Sequence, residues 1–361
     1  MNGDLTVKSG QGDYPVHFFT KILEMRESGI LEREDYFVFV DEKVMETYRN
    51  QLEFLSYYPT YTVKAVEESK TLQGVSEFSD WLISKGATKS SIILAVGGGI
   101  IQDVATFTAH IYKRGIAWHY IPTTLLSQSD SCIGAKCGIN LMPNKNQLGV
   151  MHSPKKVLIV SEFLKSLEFS VFTSGYGEIL KLSLTQPNQF YDIFKDTLKN
   201  QGIEFSSSLA LTKLSLNAKK AVIEEDEYET DLRRILNYGH SFGHALESIT
   251  HNEVDHGFAV LFGIDIINSL SVKWGFLDRE TKDDIRKTIT SYFPLNILPR
   301  RVQASELIEV LKSDKKVSKG KMHFAILNAQ RALEIIPVEI DDKLQSEVAE
   351  YLDHDSIFTI T

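Results

Sequence analysis

The residues of this chain best suited to chemistry lie in one stretch, Asn237-Tyr238-Gly239-His240-Ser241-Phe242-Gly243-His244, with His256-Gly257 a short way on. His240 and His244 are spaced i, i+4, so a helix carries both imidazoles on one face, one turn apart. A polar break at 250–255 separates them from His256, which opens a new apolar run, Phe258-Ala259-Val260-Leu261-Phe262-Gly263-Ile264. Helix, turn, helix, with histidines facing across the turn, is one way to build a metal site. Two histidines and one carboxylate, with a coordination position left open, suit catalytic zinc. The same spacing also fits histidines that simply belong to two amphipathic helices. Upstream, Glu178 and Lys181 stand at i, i+3 in the apolar helix Gly177-Glu178-Ile179-Leu180-Lys181-Leu182. An acid there is either a surface residue or a buried ligand.

The elements that must position these groups show in the apolar pattern. Residues 36–40, 91–96, 117–121 and 156–160 are short continuous apolar runs, with helical stretches such as 75–85 and 101–111 between them. Buried strands alternating with helices imply an α/β layer with a largely parallel sheet. Ligands of such sheets sit beyond the carboxyl ends of the strands. Gly97-Gly98-Gly99, followed by Asp103, occupies one such end. Glycines let a backbone approach a pyrophosphate, and the next helix N-terminus favours its charge. A tight strand-to-helix turn uses the same residues. Asp41, closing the first run, either bonds a ribose or caps a helix. The polar segment 127–146 carries Lys136, Lys145 and Asn146, which either bind an anion or lie in a solvated loop.

Past Ser174-Gly175 the texture is helical. A long helix carries Lys219 and ends in Glu224-Glu225-Asp226-Glu227. Such charge runs normally face solvent. The formal charge of −9 excludes a broad nucleic-acid surface, which needs a basic face. Two cysteines, Cys132 and Cys137, make no disulfide framework, and a reducing cytoplasm is the simplest setting. No signal design opens the sequence, and no apolar run approaches the ~20 residues that span a bilayer.

Taken together, the motifs resemble the 3-dehydroquinate synthase family of sugar phosphate cyclases over residues 35–330. The resemblance rests on the glycine turn with Asp103, on Tyr112-Lys113-Arg114-Gly115 and on Pro122-Thr123-Thr124-Leu125-Leu126. It continues through Asp130-Ser131 with Gly134 and Lys136, through Lys145-Asn146, and through Ser174-Gly175 with Glu178 and Lys181. Lys219, Glu229, Arg233, Asn237, His240, His244, His256 and Lys316 complete the series.

The resemblance implies an α/β, Rossmann-like N-terminal domain at 1–169 and a mainly α-helical domain at 170–361, paired as a homodimer. It implies zinc, with cobalt as an alternative, on Glu178, His240 and His256, and places His244 near the substrate phosphate. NAD would meet Asp41, Glu67, Lys70, Gly97, Gly98, Gly99, Asp103, Thr123 and Thr124. Asp130, Lys136, Lys145, Asn146, Lys181, Lys219, Arg233, Asn237 and Lys316 would line the substrate cavity, and Arg114 would reach the partner subunit's site. The implied reaction is transient oxidation by NAD, β-elimination of phosphate, return of the hydride and aldol closure of a carbocycle. Departures from the family pattern fall at Gln102, Thr106, Ala135, Cys137, Asn144, Glu168 and Phe258. They remove no metal ligand, but several adjoin substrate or cofactor. They leave open a specialised cyclase of sedoheptulose 7-phosphate (2-epi-5-epi-valiolone synthase-like). A polyol or glycerol-phosphate dehydrogenase and a silent homologue are the other classes. Arg233, one helical turn before Asn237, favours a carboxylated heptulosonate 7-phosphate, because a guanidinium holds a carboxylate through two hydrogen bonds.

Overall fold

Each of the four apolar runs forms a strand. The computed structural model describes residues 4–32, 34–141, 144–185, 189–313 and 320–361. They fall into two units, 1–168 with 208–228, and 169–207 with 229–361. The sequence boundary at 169/170 puts residues 208–228 in the second segment, whereas their contacts group them with the first.

In the first unit the strands are β1 (Leu5–Val7), β2 (Tyr14–Phe19), β3 (Tyr36–Asp41), β4 (Thr60–Val63), β5 (Ile92–Gly97), β6 (Ala117–Pro122), β7 (Lys136–Leu141), β8 (Asn144–Met151) and β9 (Lys156–Val160). Helices α1 (Ile22–Glu27), α2 (Glu42–Thr47), α3 (Leu72–Ser84) and α4 (Gly99–Ile111) are interleaved with them. Seven strands form one sheet in the order β1-β2-β9-β6-β5-β3-β4. All its pairings are parallel except β1–β2. A parallel sheet is covered on both faces, which is why these runs are apolar without alternation. Val38, Val40, Leu94, Val96, Leu158 and Val160 share one core cluster. Between them, Phe39 stacks on Phe78 of α3 at 4.2 Å. Each such side chain, fully buried, stabilises the fold by about 1.5–3 kcal/mol. β4 and β5 add to opposite sides of β3, so the strand order reverses there. The crevice at that reversal, beyond the carboxyl ends of β3 and β5, is where such sheets take ligands.

The start of the polar segment after β6 is not a solvated loop. Ser127, Gln128 and Ser129 are fully enclosed, in a short wide helical turn, and Lys136 opens the β7–β8 hairpin. The acidic run is also engaged. Glu224 accepts the Lys8 amide at 2.7 Å, and Glu227 accepts the Ser9 hydroxyl and the Gly10 amide.

The second unit holds α5 (Phe169–Ser183), α6 (Phe190–Gln201) and the first residues of α7 (Phe205–Glu225). It continues with α8 (His240–Ile249), α9 (His256–Lys273), α10 (Arg279–Tyr292), α11 (Ala304–Ser313) and α12 (Asp342–His354). Its short strands β10 (Asn296–Leu298), β11 (Lys321–Leu327), β12 (Leu333–Glu339) and β13 (Thr359–Ile360) pair β10 with β13 and β11 with β12. α9 is apolar nearly all round and buried along most of its length, as a central helix must be. α5 meets it backbone to backbone. A Cβ at Gly257 would fall 1.8 Å from the Ser174 carbonyl oxygen, and the Gly257 amide donates to Ser174 Oγ at 2.9 Å. Farther along α9, buried Asp265 accepts both Arg286 Nε (2.8 Å) and the Tyr351 hydroxyl (2.7 Å). Arg286 also reaches Asp355 at 2.7 Å, so one guanidinium ties α9 and α10 to the segment after α12.

Gly257→Ala should push α9 away from α5 and destabilise the protein by about 1–3 kcal/mol, the usual cost of overpacking. Urea unfolding checks this, and an unchanged midpoint would refute the close contact. A second outcome concerns His119, buried on β6 with Nδ1 2.7 Å from the Tyr36 hydroxyl. Burial, with Lys156 adding to it, lowers its pKa from 6.5 to about 3. The folded pKa lies below the unfolded one, so the contribution is complete above pH 6.5 and fades as pH falls toward 3. At about 1.4 kcal/mol per pH unit, wild type should lose about 2–3 kcal/mol more than His119→Gln between pH 6.5 and about pH 4.5. Equal losses in urea titrations of the two proteins would count against a neutral buried His119.

Candidate active site

In the second unit, three elements bring three side chains to one point. Glu178, fully buried on α5, directs Oε1 to within 3.4 Å of His240 Nε2 and 3.2 Å of His256 Nε2. Its Oε2 lies 2.6 Å from Lys181 Nζ, one turn on in the same helix. One ligand atom from each of Glu178, His240 and His256 falls within 4.8 Å of the other two. The i, i+4 pair behaves as its spacing requires. His240 and His244 share a face of α8 with ring centroids 5.2 Å apart, and His256 starts α9 with its ring 5.3 Å from His240. The outer nitrogens are engaged too. His240 Nδ1 lies 3.2 Å from the Tyr238 carbonyl oxygen, and His256 Nδ1 lies 3.1 Å from Glu247 Oε1.

Electrostatics separates the two histidines. Burial holds the His240 pKa well below 6.5, and Lys181, His244 and His256 push the same way. Burial also opposes charge on His256, but its hydrogen bonds to Glu178 and Glu247 outweigh that and lift it to about 10. One nearly enclosed carboxylate between two imidazole nitrogens is a donor set that fits a divalent transition ion, with histidine nitrogen and carboxylate oxygen as ligands. A metal entering there must displace the His256 proton, because metal ligands bind deprotonated.

Two further residues of this unit depart from the helical approach expected of them. Arg233 and Asn237 lie on a 3₁₀ turn, Leu232–Asn237, and Gly239 at φ 78° breaks the chain before α8. Arg233 is nonetheless almost wholly buried, and Asn237 Nδ2 donates to Glu229 Oε1 at 2.8 Å. Lys316 lies outside the described residues.

In the first unit, Asp41 and the glycine turn stand at the strand-order reversal. Asp41 caps α2 by accepting the Lys43 amide at 3.1 Å through one carboxylate oxygen, and burial raises its carboxyl above the usual range. Gly97 ends β5, Gly98 caps α4, and a Cβ on Gly99 would meet nothing within 4 Å. That open position at a helix N-terminus is what an approaching anion needs. Thr123 is buried beside it, its amide bonded to the Gly97 carbonyl, while Thr124 exchanges hydrogen bonds with Ser127. One turn into α4, Asp103 pairs with Lys70 at 2.7 Å and accepts the Gly138 amide. Burial raises the Asp103 carboxyl, against the pull of Lys70. Glu67 lies 3.7 Å from Lys145 and accepts Asn140 Nδ2 at 2.8 Å, while the Asn140 side-chain oxygen receives the Asn146 amide. Asp130 and Lys219 form a separate pair at 2.5 Å, and Lys136 is exposed. Arg114 sits exposed on a left-handed turn, with Lys113 at φ 48° and Arg114 at φ 62°. The Lys89 ammonium donates to the carbonyls of Lys113, Arg114 and Gly115.

Sequence reasoning assigned no role to Asn140, Lys89 or Glu247. Glu247 was within reach. It stands three residues after His244 and seven after His240, on the same helical stripe. Cys132 and Cys137 are free and buried, and burial pushes the Cys132 thiol up to about 12.

Models of the N-terminal and C-terminal regions of 3-dehydroquinate synthase match residues 60–174 and 175–317. The chain is 32% identical to the 3-dehydroquinate synthase of Prochlorococcus marinus over 354 residues, covering 94% of this chain and 97% of that one. Its fold is similar to that of 2-deoxy-scyllo-inosose synthase complexed with carbaglucose-6-phosphate, NAD+ and Co2+. That likeness has a TM-score of 0.87 at 23% identity, over 96% of this chain and 99% of the other. It is similar as well to 2-epi-5-epi-valiolone synthase from Streptomyces hygroscopicus with NAD+ and Zn2+ bound, with a TM-score of 0.82 at 23% identity over 98% and 99% of the two chains. With both regions matched in order and a relative of this identity aligned over nearly its full length, the chain belongs to the 3-dehydroquinate synthase family.

Proposed function

We propose that this chain is an NAD- and metal-dependent cyclase of the 3-dehydroquinate synthase type, converting a heptulosonate 7-phosphate to a carbocycle with elimination of phosphate. The observation that carries this reading is the convergence of Glu178, His240 and His256, each histidine turning Nε2 toward the carboxylate. These three residues would hold one divalent ion, zinc or cobalt. NAD is assigned to the glycine turn with Asp41, Glu67, Lys70, Asp103, Thr123 and Thr124. When bound, the ion supplies Lewis-acid polarisation of a substrate oxygen, and the nicotinamide supplies a hydride acceptor that returns what it takes.

The side chains of the protein then have distinct tasks. The open face of Gly99 would let a pyrophosphate reach the first amides of α4. Lys136, Lys145 and Lys219 would neutralise the phosphate and the carboxylate, with Lys219 or Lys136 helping Arg233 at the carboxylate and Asp130 holding the Lys219 ammonium in place. Lys181, beside Glu178, would orient a substrate oxygen. Asn237, fixed by Glu229, and His244 would hydrogen-bond substrate from α8 and the turn before it. Asn146 and Lys316 keep substrate roles on the strength of their motifs. The departing phosphate can itself accept the neighbouring proton, so no single side chain must do all the acid–base work. The same reading makes the protein a cytoplasmic homodimer in which Arg114 is supplied to the partner. Among the described residues, no helix is long and apolar enough to cross a membrane.

Phosphate release and absorbance at the NADH band, followed together, separate this reading from a dehydrogenase. Phosphate should accumulate without net NADH, and one NADH per phosphate would overturn the cyclase assignment. The substrate prediction rests on Arg233, whose planar fork suits a carboxylate. Arg233→Lys should lower kcat/KM on 3-deoxy-arabino-heptulosonate 7-phosphate by one to two decades, equivalent to about 1.5–3 kcal/mol, with metal content unchanged. If wild type cyclises only sedoheptulose 7-phosphate, the specialised cyclase replaces the dehydroquinate assignment.

A further inference from the structure

We propose that Glu247 is a positioning residue that fixes the tautomer and ring orientation of His256. The inference rests on the metal assignment above and goes beyond the ligand set. The His256 ring lies between two carboxylates, with Nε2 3.2 Å from Glu178 and Nδ1 3.1 Å from Glu247. A neutral imidazole has one N–H and one lone pair, and a carboxylate can only accept. When an entering metal displaces the proton that faces Glu178, Nδ1–H stays donated to Glu247 and the lone pair left on Nε2 is the one offered to the metal. A ligand histidine tied through its other nitrogen to an acceptor is pre-oriented and more basic toward a metal.

The two histidines obtain that acceptor differently. His240 Nδ1 faces a backbone carbonyl, that of Tyr238, at 3.2 Å, which no side-chain substitution removes. His256 depends on a side chain. Glu247 is itself well placed to serve. It sits near the end of α8 with its side chain 18% exposed, and its own carbonyl receives the Asn252 amide at 2.8 Å. The turn that follows takes two consecutive left-handed residues, His251 at φ 52° and Asn252 at φ 63°. Backbone in that region is costly for residues other than glycine and persists where its surroundings fix it. The turn therefore sets the register in which the first residue of α9 faces back toward Glu247.

Cobalt(II) titration of the metal-free protein, in competition with a chromophoric chelator, tests this. Wild type, Glu247→Ala, Glu247→Gln and Glu178→Gln are compared, and the visible spectrum of bound cobalt is recorded for each. Glu247→Ala should weaken cobalt binding by about ten- to a hundredfold without changing the spectrum, because the ligands are unchanged. Glu247→Gln keeps an acceptor oxygen and should recover most of the affinity, which also guards against an alanine variant that merely folds poorly. Glu178→Gln should lose binding and alter any residual spectrum. Wild-type affinity in Glu247→Ala, with Glu178→Gln defective, would overturn the positioning role and leave the metal site standing. His244, Glu247 and His256 also lie close enough to form a ligand group. If Glu247→Ala loses cobalt and changes its spectrum while Glu178→Gln retains it, Glu247 is a direct ligand and the proposal fails. If wild type itself binds no cobalt, the metal assignment fails first and the positioning role with it.

Discussion

The contact between Gly257 and Ser174 governs the second unit. A carbonyl oxygen occupies the place where any other residue at 257 would put its Cβ. Two helices that meet through main-chain atoms lie closer than side-chain ridges allow, since ordinary packing holds axes about 8–10 Å apart. Glu178 is one turn beyond Ser174 on α5, and His256 immediately precedes Gly257 on α9. The same approach therefore carries the carboxylate to the imidazole. An ionised carboxylate this deeply enclosed is costly unless charge and hydrogen-bonding groups surround it. Lys181 from the same helix and the two histidines provide those groups, and the close contact is what brings His256 within reach.

What could be read in advance follows from the range of the interactions involved. Runs buried on both faces are local patterns, and all four appear as strands of one sheet. The His240–His244 spacing is local too, and α8 displays both rings on one face. The 3₁₀ turn at Leu232–Asn237 was not legible, because Gly239 breaks a run whose composition is otherwise compatible with helix. Nor was the burial of Ser127, Gln128 and Ser129, whose polarity suggested solvent. Ser127 and Ser129 bond locally, to Thr124 and to the Leu125 carbonyl, but Gln128 also donates to the Val160 carbonyl at the end of β9, which no local pattern announces. Asp265 and Arg286 illustrate the same limit. Twenty-one residues separate them, and only the fold turns two unremarkable charges into a buried bidentate pair.

The first unit sets its charged groups by a different means. Instead of one enclosed carboxylate, it links acids and bases in a chain running from Asp103 and Lys70 to the β7–β8 hairpin. Asn140 is the joint, donating to Glu67 and accepting from the Asn146 amide. A neutral amide can do both at once, whereas a carboxylate in its place could not donate.

The course of α7 has a practical consequence. The polypeptide leaves the first unit after residue 168, returns at 208 and leaves again at 228. Its contribution on that return includes Lys219, bonded to Asp130, and Ser215, whose hydroxyl donates to the Ser129 carbonyl. Neither unit is thus a single continuous length of chain. A fragment ending at 168 would contain every strand of the large sheet and every residue of the glycine turn, yet leave the Asp130 carboxylate without its ammonium. Dissection of this protein by truncation therefore separates a sheet from one of its own helices; splitting it cleanly would require α7 to be spliced back onto the shorter piece.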